Sequence, residues 1–227
     1  MDFTRVMIGA SIVALSISVI GHDTPLVFAQ NDTGWKFCTS DNDTPELPAI
    51  SDCTRLINDN RLSKGDLAQV YYRRGAAYLR KGDIGRAIAD ETMAIELDQK
   101  LSNAYVRRGA AYLQKRDFEG AIADTSKAIE IDPDNVKAYV SRSVARAFNY
   151  DVDGALADSG KAVEIDPKSI SAYLARATSY TRQNDQISAL AELSRATEID
   201  PNGGYEGYGS RGRAFLRKGD YTRDRRL

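Results

Sequence analysis

Residues 102–135 read SNAYVRRGAAYLQKRDFEGAIADTSKAIEIDPDN, and the rest of the chain is organised around this stretch. Moved back by 34 positions it falls on 68–101, where RRGAAYL recurs unchanged as 73–79 and 107–113. Moved forward it falls on 136–169 and then on 170–203. Four tandem copies at a fixed period mark a repeat array, in which each unit buries its apolar face against its neighbours.

The spacing inside one copy predicts two helices. Tyr105, Gly109 and Tyr112 stand at i, i+4 and i+7, so they share one face of a first helix. Ala121, Ile122, Ala128 and Ile129 do the same for a second helix. Asp117 sits between them, where a carboxylate accepts from the orphan N–H groups of a helix start. Asp83, Asp151, Asp185 and, one residue displaced, Asp220 hold the same slot. Asp132-Pro133 is expected to end the second helix, since proline has no N–H and drives its predecessor out of the helical region. Pro167 and Pro201 repeat that stop, and Gln99 replaces it in the first copy. Gly109 is small enough for close approach of the second helix near Ala121. In copy three Ser143 replaces that glycine and Arg146 the second tyrosine, which predicts looser packing there.

This pattern of aromatic, Gly, Tyr, Ala, Ala and Pro resembles the tetratricopeptide repeat over roughly 68–203. The resemblance implies an all-α fold, a right-handed α-solenoid of tandem antiparallel helix pairs. Glu91, Thr125 and Ser159 depart from it, because the family usually places an aromatic there. The expected organisation is a signal peptide at 1–29, a disulfide-stapled half-repeat cap at 30–67, and repeats at 68–101, 102–135, 136–169 and 170–203. A partial repeat with a basic tail follows at 204–227. The cap reading rests on 45–60, where Ala49, Ile50, Asp52, Leu56 and Ile57 echo Ala121, Ile122, Asp124, Ala128 and Ile129. The link from this helix to the first full copy is longer than its counterparts. Trp35 and Phe37 are read as packing residues of the cap, with sugar stacking by Trp35 as the alternative.

The first 29 residues read as a secretory signal. Arg5 precedes an apolar run at 6–21, too short for the ~20 residues that span a bilayer as a helix. Val27, Phe28 and Ala29 then offer a cleavage site, with Gln30 as the new N-terminus. An uncleaved single-span anchor is the alternative. Together with the repeats, this resembles exported tetratricopeptide proteins of Gram-negative bacteria and implies a periplasmic or secreted address. Two cysteines, Cys38 and Cys53, make an even count, and in an exported chain that favours a disulfide over two separate buried thiols.

Composition excludes more than it identifies. The chain has 31 basic and 32 acidic residues, so a nucleic-acid partner is not expected. Its single histidine, His22, lies in the signal, which leaves no Ser-His-Asp or Cys-His system and no histidine metal site. Asp90, Asp124, Asp158 and Glu192 recur as one ladder and Glu96, Glu130, Glu164 and Glu198 as another, whereas a catalytic pair is a local singularity. No enzyme activity, cofactor or metal is expected. Arg74, Arg108, Arg142 and Arg176 form a ladder on the first helices, which predicts ion pairs with the first acidic ladder.

The resemblance implies instead a concave surface lined by the first helices, and the expected partner is another protein, presenting a peptide or a helix. The matching slots are Gln69, Tyr72, Ala76 and Leu79 in copy one, and Asn103, Val106, Ala110 and Leu113 in copy two. Val140 continues the apolar stripe, while Arg73, Arg107 and Lys137 place charge along its rim. Tyr72 is the expected hot spot, and the arginines favour acidic residues in the partner. The paired substitution Tyr72→Ala with Val106→Asp is expected to spare the fold. The lysine–asparagine clamp that some family members use for terminal carboxylates is not reproduced, since Tyr72 and Ala76 stand in its first slots, although Arg107 and Lys137 sit in basic clamp slots. The alternative reading of the stripe is ordinary surface, or a face covered by a terminal cap. The alternative function is an envelope-tethered scaffold recognising a cell-wall polymer, with membrane contact through an uncleaved signal.

Overall fold

The computed structural model describes Cys38 and residues 46–59 and 61–200. The signal, Trp35, Phe37, the partial repeat at 204–227 and the Asp220 cap lie outside the described residues. Nine helices and no strands occur among the described residues. They are α1 (Glu46–Asn58), α2 (Lys64–Lys81), α3 (Ile84–Leu97), α4 (Ser102–Gln114), α5 (Phe118–Ile131), α6 (Val136–Phe148), α7 (Val152–Ile165), α8 (Ile170–Arg182) and α9 (Gln186–Ile199).

The helix starts follow local chemistry. Asp83, Asp117, Asp151 and Asp185 each accept from the backbone N–H three residues on, at 2.9–3.2 Å. Asn135 and Ser169 cap α6 and α8 in the same way, whereas Leu101 leaves the start of α4 without a side-chain cap. The four residues Gly82, Arg116, Tyr150 and Asn184 occupy one slot of the helix–helix turn, and all have φ between 62° and 80°. Only the first of them is a glycine, so the other three accept a left-handed conformation that opposes an L side chain.

The second helices stop where the sequence places their ends. Asp98, Asp132, Asp166 and Asp200 leave the second helices with φ between −139° and −130°, although Gln99 replaces proline after the first. Asp98 accepts from the Lys100 N–H at 2.9 Å, as Asp166 does from Lys168, so the same side-chain turn follows the helix with or without proline. The long link before the first full copy is taken up as helix. Ser63 caps α2 four residues ahead of the repeat boundary, so α2 runs 18 residues where α4, α6 and α8 run 13.

Each helix packs on its successor, and each first helix also touches the first helix of the next copy. No second helix touches another second helix. First helices thus form the inner layer of an all-α solenoid and second helices splay outward. Fully buried alanines sit where the layers cross: Ala87, Ala94, Ala121, Ala128, Ala155 and Ala162. At the start of the array, Cys38, Cys53, Leu56 and Val70 form a small separate cluster that joins α1 to α2. Cys38 and Cys53 are disulfide-bonded. None of the helices among the described residues is long and apolar enough to cross a membrane.

The looser packing expected in copy three does not occur. Ser143 is fully buried and donates its hydroxyl to the Ala155 carbonyl at 2.8 Å, tying α6 to α7. Arg146 donates to Asp158 at 2.9 Å. A small polar side chain replaces close contact by a direct hydrogen bond.

Candidate partner-binding groove

Two stripes run along each first helix, and the structure uses them differently. One faces the second helix of the same copy and carries the expected ion-pair ladder. Arg74 donates from Nε and Nη2 to both oxygens of Asp90 at 2.8 Å. Arg108 does the same to Asp124 at 2.7 and 2.8 Å, and Arg142 to Asp158 at 2.9 and 2.7 Å. The third nitrogen reaches the preceding copy: Nη1 donates to Thr54, Thr92 and Ser126 in turn, at 3.0–3.1 Å. Each guanidinium therefore joins two helices of its own copy to a hydroxyl of the copy before, and the planar fork fixes their register. These side chains keep only 15–17% of their surface in solvent. The hydroxyls were not singled out in the sequence, although Thr92 and Ser126 stand 34 residues apart, with Thr54 four residues further back across the longer link.

Copy four breaks the pattern. Arg176 donates only to Glu192 Oε2, at 2.6 Å, and its buried Nε has no partner. The slot that holds Thr92 and Ser126 holds Gly160 here, so no hydroxyl faces Nη1.

The other stripe faces the inner side of the solenoid. Gln69, Asn103 and Lys137 are exposed, and Tyr72, Arg73, Ala76, Leu79, Arg107, Ala110, Leu113 and Val140 are partly so. Val106 departs from the expectation. It is 7% exposed and belongs to the central apolar cluster with Ile95, Ala104, Tyr105, Ala128 and Ala138. An aspartate there would be an unpaired buried charge, so Tyr72→Ala with Val106→Asp would damage the fold rather than spare it. Helical spacing put Val106 on the groove stripe, but its side chain joins the apolar cluster to which α3, α5 and α6 also contribute.

Tyr72 is also not a bare platform. The Arg107 guanidinium lies 3.7 Å from its ring centroid, and Nη1 donates to the Tyr72 carbonyl at 2.7 Å. Beneath Arg107 lies Glu91 of α3, which is fully buried and has no hydrogen bond to either carboxyl oxygen. Burial pushes this carboxyl up to about 9, against which the nearby Arg107 charge is the lesser influence. Burial thus favours the protonated form of Glu91, whose Oε1 stands 3.6 Å from Arg107 Nη1. Gly75 makes room for it: a Cβ there would stand 2.6 Å from Glu91 Oε1. The equivalent pairs are Gly109 with Thr125, Ser143 with Ser159 and Ala177 with Leu193. Among the described residues no cluster of potential metal ligands occurs.

A tetratricopeptide repeat family model matches residues 102–135, and a second one matches 68–101. No curated protein sequence matches the chain. Among solved structures, the TPR domain of Arabidopsis OM64 is 29% identical, with 52% of this chain and 98% of that one covered and a TM-score of 0.51. TTC0263, a thermophilic TPR protein of Thermus thermophilus, is 17% identical over 75% and 91% of the two chains, with a TM-score of 0.66. YrrB, described as a TPR protein with an unusual peptide-binding site, is 19% identical over 69% and 79%, with a TM-score of 0.53. Such repeats serve as protein-interaction scaffolds rather than catalysts. Residues 68–101 and 102–135 are thus matched as tetratricopeptide repeats, and the same layered helix pairs continue through 136–200 in an all-α helical-repeat fold.

Proposed function

We propose that the chain is a non-catalytic interaction module that holds an extended peptide or a partner's helix along the inner face of its first helices, chiefly in copies one to three. One observation carries this reading. The ladder stripe is consumed in joining helices, whereas Tyr72, Ala76, Leu79, Ala110, Leu113 and Val140 remain partly exposed on the inner layer. A row of apolar side chains at successive turns, flanked by Gln69, Asn103 and Lys137, suits a ligand read at intervals along its length. The peptide-binding site named for YrrB supports it.

The test blocks the groove without touching the core. Ala76→Gln with Ala110→Gln adds bulk at two partly exposed helix positions and keeps a good helix former. Partner capture is expected to fall at least ~10-fold, about 1.4 kcal/mol, with unchanged circular dichroism. Undiminished capture by the folded variant would move the site elsewhere. The proposal places this module outside the cytoplasm, on the strength of the apolar run at 6–21 and the small residue at Ala29. Intact mass of material recovered by osmotic shock is then that of a chain starting at Gln30. A membrane-retained species still carrying residues 1–29 would favour the tethered scaffold instead.

A further inference from the structure

Among the described residues, the turns that join first to second helices lie along one edge of the solenoid, because successive copies set the same antiparallel pair side by side. Phe118, at the start of α5, stacks on Phe148, at the end of α6, with ring centroids 5.7 Å apart. The Arg182 guanidinium, at the end of α8, lies 4.1 Å from the Phe148 ring centroid. These contacts tie the turns of copies two, three and four into a fixed ridge.

Two large apolar side chains stand out from it. Tyr150 is 85% exposed and Ile187 76% exposed. Tyr150 is also held at φ 67°, a conformation that opposes a bulky L side chain, whereas Gly82 occupies the same slot in copy one. A strained aromatic directed into solvent adds nothing to the core of its own chain, and strain of this kind clusters at positions that serve a contact.

Charge along the edge is graded. The turn of copy one exposes Arg80, Lys81 and Arg86, opposed by Asp83, which Arg86 holds at 2.6 Å. The turn of copy two balances Lys115 and Arg116 with Asp117 and Glu119. That of copy three, residues 149–153, exposes Asp151 and Asp153 and contains no basic residue. Laid antiparallel on itself about a two-fold axis through copy two, the edge sets the basic turn of each chain against the acidic turn of the other. Tyr150 then meets the Arg80–Lys81 turn, where its ring face suits a cation. Parallel pairing would oppose like charges, and a polyanion or an anionic lipid surface is repelled by the acidic turn that carries Tyr150.

We propose that this turn edge is the interface of a two-fold homodimer, with Tyr150 of each chain seated on the copy-one turn of the other. No groove residue named above belongs to these turns, so the inference is independent of what the groove holds. Three turns make a small interface, with an expected dissociation constant of about 1–100 μM.

The experiment is sedimentation velocity of the full chain over a concentration series from about 1 μM to ~1 mM. The expected result is a monomer–dimer equilibrium that stops at two chains. Tyr150→Gly keeps the fold, since glycine accepts the left-handed backbone, and weakens the dimer at least ~10-fold. Lys81→Glu and Asp153→Lys each weaken it about 10-fold alone. Mixed in equal amounts, these two variants associate as tightly as the wild type, because each offers the charge that the other lacks. A mixture no tighter than its components overturns the antiparallel pairing. A chain that stays monomeric throughout, or a dimer indifferent to Tyr150→Gly while circular dichroism is unchanged, overturns the interface. Assemblies that keep growing with concentration overturn the two-fold closure. A monomer that captures a different protein through Tyr150 overturns the choice of a second copy as the occupant.

Discussion

Replacing Glu91 by leucine should stabilise this protein, and the amount should depend on pH. The folded carboxyl ionises at about 9, the free one at 4.5. Between those values the folded state keeps a proton that the unfolded chain releases. Stability is therefore greatest below 4.5 and falls as pH rises through the window, by about 1.4 kcal/mol per unit. At pH 7 the accumulated loss is about 3 kcal/mol. Leucine has no proton to hold, and Leu193 already fills the equivalent slot in copy four with 4% exposure. The missing Cβ of Gly75 leaves space for it in copy one. Urea unfolding followed by circular dichroism is expected to show Glu91→Leu ahead by about 2–4 kcal/mol near neutral pH and by less than ~1 below pH 5. Glu91→Gln should lose the same pH slope. A leucine variant less stable near pH 7, or an advantage that is the same at both pH values, would refute the reasoning.

Three other substitutions or treatments test separate parts of the array. Gly160→Ser restores the hydroxyl that copy four lacks; nothing lies within 4 Å of a Cβ there, and thermal unfolding should show about 1 kcal/mol of gain, abolished when Arg176 is changed to Met. Tyr150→Gly relieves a φ of 67° at a side chain 85% exposed, with an expected gain of about 0.5–1 kcal/mol by chemical denaturation, whereas Gly82→Ala at φ 80° should cost stability. Reducing Cys38–Cys53 opens a loop of 15 residues, worth about 3 kcal/mol in the chain-entropy model; hydrogen exchange is expected to rise first in α1, and two thiols titrated in the unreduced, denatured chain would contradict the bond.

Much of the architecture was open to inspection in one dimension. A period of 34 and helical spacing are properties of order along the chain, so they predict helix pairs, caps at Asp83, Asp117, Asp151 and Asp185, and opposed charge ladders. The arginine–carboxylate pairs follow because side chains at a common period meet wherever their helices do. The Ser143 hydroxyl bond was not legible, because it depends on which carbonyl the second helix presents to that position.

The groove divides along the same line. Repetition along the chain is enough to identify the inner stripe as a set of residues, because a helix displays the same face every turn. Which members of that set keep contact with solvent is settled only when α2, α3, α4 and α6 pack. Val106 then turns into the core, and Tyr72 receives Arg107 on its ring. Glu91 is the sharpest instance. In the sequence it is one departure from an aromatic slot, indistinguishable from a surface acid. Packing under Gly75 removes its water, and only that loss of solvation pushes the carboxyl far above the usual carboxylate range.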